Sequence, residues 1–85
     1  MYTLNNVARF LNQNQINILK LEESTDWQVE DDCIYLEHDL ALQIGEDYIG
    51  ISREKTDGVF TNYGYYKKSK GLIVMIKTLI DRFKN

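Results

Sequence analysis

The chain has no proline among its 85 residues. It therefore lacks proline's stop signal and any cis-proline folding step. Its one cysteine, Cys33, excludes a disulfide within the chain and points to a reducing cytoplasm. No apolar run approaches the roughly 20 residues of a membrane span. The N-terminus has no basic region followed by an apolar core, so no signal peptide is expected. The glycines, at 45, 50, 58, 64 and 71, form no phosphate loop. Residues 21–52 hold no Lys or Arg at all.

What is present is an ordinary globular composition, 44% hydrophobic and 27% charged, with apolar residues too regularly spaced for disorder. Eighty-five residues suit one domain, 1–85, with one modest core. No internal repeat or linker divides it. Net charge is −3, but it is uneven: +2 over residues 1–20, −10 over 21–52 and +5 over 53–85. Either the molecule is charge-polarised, or the two halves neutralise each other across the fold.

The stretch from Cys33 to Tyr66 reads as a β-meander with three turns. Asp57-Gly58 is the clearest, a type I′ signal in which both central residues take positive φ. A two-residue turn there pairs Thr56 with Val59, Arg53 with Asn62, Ser52 with Tyr63, Ile51 with Gly64, Gly50 with Tyr65 and Ile49 with Tyr66. A turn at Glu46-Asp47 pairs Ile44 with Ile49, Gln43 with Gly50, Leu42 with Ile51 and Ala41 with Ser52. A loop at Glu37-His38-Asp39 pairs Leu36 with Leu40, Tyr35 with Ala41, Ile34 with Leu42 and Cys33 with Gln43.

Side chains alternate between the two faces of a strand, and these registers agree. One face is expected to collect Ile34, Leu36, Leu40, Leu42, Ile44, Ile49, Ile51, Phe60 and Tyr66. The other collects Cys33, Tyr35, Ala41, Gln43, Tyr48, Gly50, Ser52, Glu54, Thr61, Tyr63 and Tyr65. A slip of one residue in any hairpin would destroy that sorting.

Before the meander, Thr3 to Gln13 has Leu4, Val7, Ala8 and Leu11 at helical spacing, with Thr3 as N-cap. Asn12 to Gln15 is a polar break. Ile16 to Glu22 is expected as a strand, and Trp27 with Val29 as a short one. Glu30-Asp31-Asp32 is expected as a turn into the meander. After it, Leu72, Met75, Ile76, Leu79, Ile80 and Phe83 form the stripe of an amphipathic helix, with Ser69 able to cap its start. The expected fold is α+β and two-layered. An antiparallel meander of about five strands is flanked in sequence by an N-terminal and a C-terminal helix, both packed on the isoleucine-rich face.

The remaining face is the leading candidate for function. Tyr35, Tyr48, Tyr63 and Tyr65 stand with Gln43 and Ser52 among small residues, and tyrosine is enriched at protein interfaces. The plainer reading is sheet chemistry: Tyr65 opposite Gly50 is an aromatic covering a strand glycine. A second candidate is nucleic-acid binding, with Tyr63, Tyr65 and Tyr66 beside Lys67, Lys68 and Lys70. Lys67-Lys68-Ser69-Lys70 at the start of the last helix resembles the lysine-rich helix start of double-stranded-RNA-binding domains. Those domains also begin and end with a helix around an antiparallel sheet. The chain departs from them in its negative net charge, its extra strands and a last helix without alanine. A third candidate is an acidic inhibitor or immunity-type protein using Glu30, Asp31, Asp32, Glu37 and Asp39.

No catalytic motif stands out, so no enzyme, cofactor or metal is expected. The carboxylates around His38 match neither a calcium loop nor a zinc pattern, and acidic turns account for them. Cys33 has no activating base nearby in sequence and reads as a small strand residue. The sequence-based expectation is a cytoplasmic binding domain for a protein partner, or for a second copy of itself, without membrane attachment.

Overall fold

A computed structural model describes residues 3–24, 31–67 and 69–84. Helix α1 spans Leu4–Gln13 and is capped as expected: the Thr3 hydroxyl accepts from the Asn6 backbone N–H at 3.2 Å. Its other end closes at the polar break. The Asn14 side-chain amide donates to the Phe10 carbonyl at 2.9 Å, and Gln15 enters the left-handed region at φ 64°. Strands follow at Ile18–Glu22 (β1), Asp32–Leu36 (β2), Leu40–Ile44 (β3), Ile49–Thr56 (β4) and Val59–Tyr66 (β5), then helix α2 at Ser69–Phe83. They form one antiparallel sheet in sequence order, β1-β2-β3-β4-β5. The expected Trp27–Val29 strand lies outside the described residues, as do Lys68 and the Ser69 side chain. Asp32 belongs to β2, paired with Ile44, rather than to a turn.

Both helices cover one face. Leu4, Val7, Ala8 and Leu11 of α1 and Leu72, Ile73, Ile76 and Leu79 of α2 share a core with Ile34, Leu36, Leu40, Leu42, Ile44, Ile49 and Ile51. Fully burying a Leu or Ile side chain contributes roughly 1.5–3 kcal/mol, so this face accounts for the fold's orientation. The β2–β3 and β3–β4 pairings follow the expected register. Their apolar residues alternate cleanly, and a slip would turn isoleucines to solvent. At the loop between β2 and β3, His38 and Asp39 both take positive φ, 62° and 63°. Arg53 secures that loop by donating to the His38 carbonyl at 3.0 Å, while its guanidinium lies 3.9 Å from the Phe83 ring centre.

The last hairpin departs from the expected ladder. Its ends pair as expected, Thr56 with Val59 and Ile51 with Gly64, but between them Ser52 faces Asn62, Arg53 faces Thr61 and Glu54 faces Phe60. Lys55 is an extra residue on β4 and Tyr63 an extra residue on β5, so two bulges cancel over the length of the hairpin. The turn is not type I′ either, since of Asp57 and Gly58 only Gly58 has positive φ, 81°. The Glu54 carboxylate accepts from the Gly58 N–H at 3.0 Å, a tie that the extra residue at 55 accommodates.

The second bulge has a local cause. Gly64 sits at φ 120°, open to glycine but not to larger residues, and its N–H donates to the Asn62 side-chain oxygen at 2.7 Å. The consequence is a swap of faces. Phe60, expected among the core residues, is exposed on the open face. Tyr63, expected on the open face, packs against the core with its ring 6.3 Å from that of Phe83. Thr61 leaves the open face with it, paired to Arg53.

Candidate functional site

Among the described residues, no helix covers the second face of the sheet. Its floor is made of small side chains. Ala41 and Ser52 are buried there, Gly50 lies between β3 and β5, and the Gln43 amide donates to the Ser52 hydroxyl at 2.9 Å. Large side chains rise around that floor. Tyr65 and Phe60 on β5 are 66% and 59% exposed, and Leu19 on β1 is 63% exposed, so apolar surface here faces outward rather than inward. Tyr35 and Tyr48 complete the walls.

The walls have defined contacts. Tyr48 packs over Gly45, leaving no room for a β-carbon there. Tyr65 lies over Gly50, as an aromatic covering a strand glycine should. The two rings meet edge to face, with centres 5.4 Å apart and planes at 81°. The Tyr65 hydroxyl accepts from the Asn62 amide at 2.9 Å, so the bulge that repositions β5 also anchors the hydroxyl end of this ring.

Charge on the face is mostly negative. Three adjoining hollows run across it. One is lined by Asp31, Gln43, Tyr48, Ser52, Phe60, Asn62 and Tyr65, the next adds Glu22, Cys33, Tyr35 and Glu54, and the third reaches Leu19 and Asp39. Lys20 stands at the β1 edge, 3.3 Å from Glu22 and 5.8 Å from the Tyr35 ring centre. The acids act on their neighbours. Asp31, which accepts from the Tyr48 hydroxyl at 3.4 Å, pushes that phenol above its ordinary range, with desolvation adding to it. Burial, then the Glu22 carboxylate, pushes the Cys33 thiol up. A hydrogen bond with Tyr35 opposes the rise, and Asp31 and Asp32 add to it. A thiol held protonated is a poor nucleophile.

The structure thus brings Tyr35, Tyr48, Tyr65, Gln43 and Ser52 together and removes Tyr63. Phe60, Asn62, Leu19, Asp31, Glu22 and Glu54 join them. The signal for the swap was a glycine inside an otherwise continuous strand, which marks a bulge. Among the described residues, the tyrosine–lysine cluster does not form one surface. Tyr63 and Tyr66 pack toward the core, Tyr65 is on the opposite face beside Lys67, and Lys70 is exposed on α2.

The acidic residues also divide. Asp31 and Asp32 stand at the start of β2, and Glu37 and Asp39 follow its end. Asp32 accepts from the Ser24 N–H and Glu37 from the Asn17 amide, both at 2.7 Å. Glu30 lies outside the described residues. Among the described residues, no three His, Cys, Asp or Glu side chains gather as a metal site, and no helix is long and apolar enough to cross a membrane. Protein-family models, characterised protein sequences and solved structures were all compared with the chain, and none matches.

Proposed function

We propose that this chain is a non-enzymatic binding domain of the cytoplasm that docks a protein partner on the open face of its sheet. One observation carries the reading: Phe60, Tyr65 and Leu19, each more than half exposed, surround a floor of small residues on the face that neither helix covers. Aromatic walls over a small-residue floor offer contact area at low entropic cost. The hydroxyls of Tyr48 and Tyr65 give such an interface polar ends.

A photoreactive phenylalanine analogue placed at position 60 or 65 tests this in living cells. Val74 on α2, 62% exposed, provides the control position. Protein adducts formed from 60 and 65 but not from 74 are the expected result. Equal labelling from all three positions would refute a dedicated docking face. Adducts that disappear on nuclease treatment would instead favour nucleic acid held through Tyr65 and Lys67.

A further inference from the structure

We propose that the hollow between Tyr48, Tyr65, Phe60 and Asp31 receives a cationic side chain, lysine or arginine, from a basic segment of the protein partner. The proposal rests on the docking reading above and adds the chemistry of what docks.

The hollow measures about 360 Å³ and is floored by the Gln43–Ser52 pair. Tyr48 and Tyr65 meet edge to face at 81°, and Phe60 lines the same hollow. A cation within about 6 Å of an aromatic centroid is attracted by the ring quadrupole, more strongly when it is desolvated. The chain already uses this contact internally, with Arg53 on Phe83.

Asp31 borders the hollow at its Tyr48 side, and the adjoining hollow continues with Glu22 and Glu54. Among the described residues, no Lys or Arg lines either one; Lys67 lines a separate hollow with Tyr48 and Tyr65. A phosphate or carboxylate ligand would meet these acids with like charge. A neutral apolar ligand would desolvate the Asp31 carboxylate and leave it only the 3.4 Å hydrogen bond from the Tyr48 hydroxyl, with no countercharge. A guanidinium or ammonium satisfies the rings and the carboxylate together. The Tyr48 phenol, raised first of all by Asp31, feels the same charge.

The test is an NMR titration of the labelled chain with three short synthetic peptides. One alternates arginine with serine, one replaces each arginine by citrulline, and one replaces each by leucine. The arginine peptide is expected to shift the resonances of Tyr48, Phe60, Asn62 and Tyr65. Its affinity should fall about fivefold to tenfold in Asp31→Asn, whose site is exposed and whose fold is expected to survive. Tyr65→Leu keeps a side chain over Gly50 while removing the ring, and should weaken binding by a similar factor.

Equal binding of the citrulline peptide, an unchanged affinity in folded Asp31→Asn, or no shift with the arginine peptide would overturn the proposal. Should the leucine peptide alone shift these residues, the docking face stands and its cationic ligand falls. Should no peptide touch the face while photo-crosslinks from positions 60 and 65 are also absent, both readings fall. A single-stranded oligonucleotide shifting the same resonances would overturn the cationic assignment as well.

Discussion

Tyr65 lies on Gly50: the nearest carbon of its ring is 3.1 Å from where a β-carbon at that glycine would stand. A methyl group there needs the ring, and the Gln43 side-chain oxygen at 3.2 Å, to yield by a few tenths of an ångström. The ring is exposed along most of its surface, so it has room to move. Gly50→Ala is therefore expected to change stability by less than about 1 kcal/mol, with reduced freedom of the unfolded chain offsetting the contact. The Tyr65 and Tyr48 resonances should shift while the urea midpoint hardly moves. A loss of several kcal/mol would mean that the ring is clamped in place.

Phe60 and Tyr63 give the sharpest test of the bulged register. Tyr63→Ala removes a ring packed on the core and on Phe83, and should cost about 2 kcal/mol or more. Phe60→Ala removes an exposed ring and should stay within about 0.5 kcal/mol. Urea unfolding of the two variants settles the order. The uninterrupted ladder predicts the reverse.

The bulge itself hangs on Gly64 and Asn62. At φ 120° a β-carbon is strained, so Gly64→Ala should lose roughly 1–3 kcal/mol. Asn62→Ala removes the acceptor for the Gly64 N–H and the donor to the Tyr65 hydroxyl, and should lose about 1 kcal/mol. Because both act on one turn of chain, the double variant should lose less than the sum. Additive losses in denaturant titrations would separate the two and deny Asn62 its part in holding the bulge.

Most of the architecture was legible because isoleucine and leucine alternate strictly through β2, β3 and the first half of β4. Each residue there has one acceptable face, and burial punishes any slip. Thr3 was legible as a cap for an equally local reason. The far half of the last hairpin was not. Beyond Ile51 the pattern weakens to Ser52, Arg53, Glu54 and Lys55 against Phe60, Thr61 and Asn62, where no strong alternation pins the pairing. Hydrogen bonds that the Gly64 and Gly58 backbone N–H groups donate to the Asn62 and Glu54 side chains decide it instead, and period-2 patterning does not register them. The candidate site inherits that gap: Tyr35, Tyr48, Tyr65, Gln43 and Ser52 were readable, Phe60 and Asn62 were not. Asp31 read as an acidic turn, because its place beside Tyr48 depends on a contact across 17 positions of sequence.

The acids of the open face should also make stability sensitive to alkali. Burial and Glu22 lead the causes that raise the Cys33 thiol above its ordinary value, and Asp31 leads those that raise the Tyr48 phenol. Both groups are neutral when protonated, so the folded chain holds its protons to higher pH than the unfolded chain does. Their contribution is intact below the unfolded thiol pKa of about 8.5 and is lost as pH rises through the folded values. Alkylation of Cys33 reads the thiol directly. Its rate–pH curve in the folded chain should lie to the alkaline side of the curve in urea. Glu22→Gln should move it back toward the unfolded curve further than Asp31→Asn does, following the order of their influence on the thiol. Curves that do not move in either Glu22→Gln or Asp31→Asn would show that these carboxylates impose no field at Cys33, and would weaken the electrostatic argument for a cationic ligand.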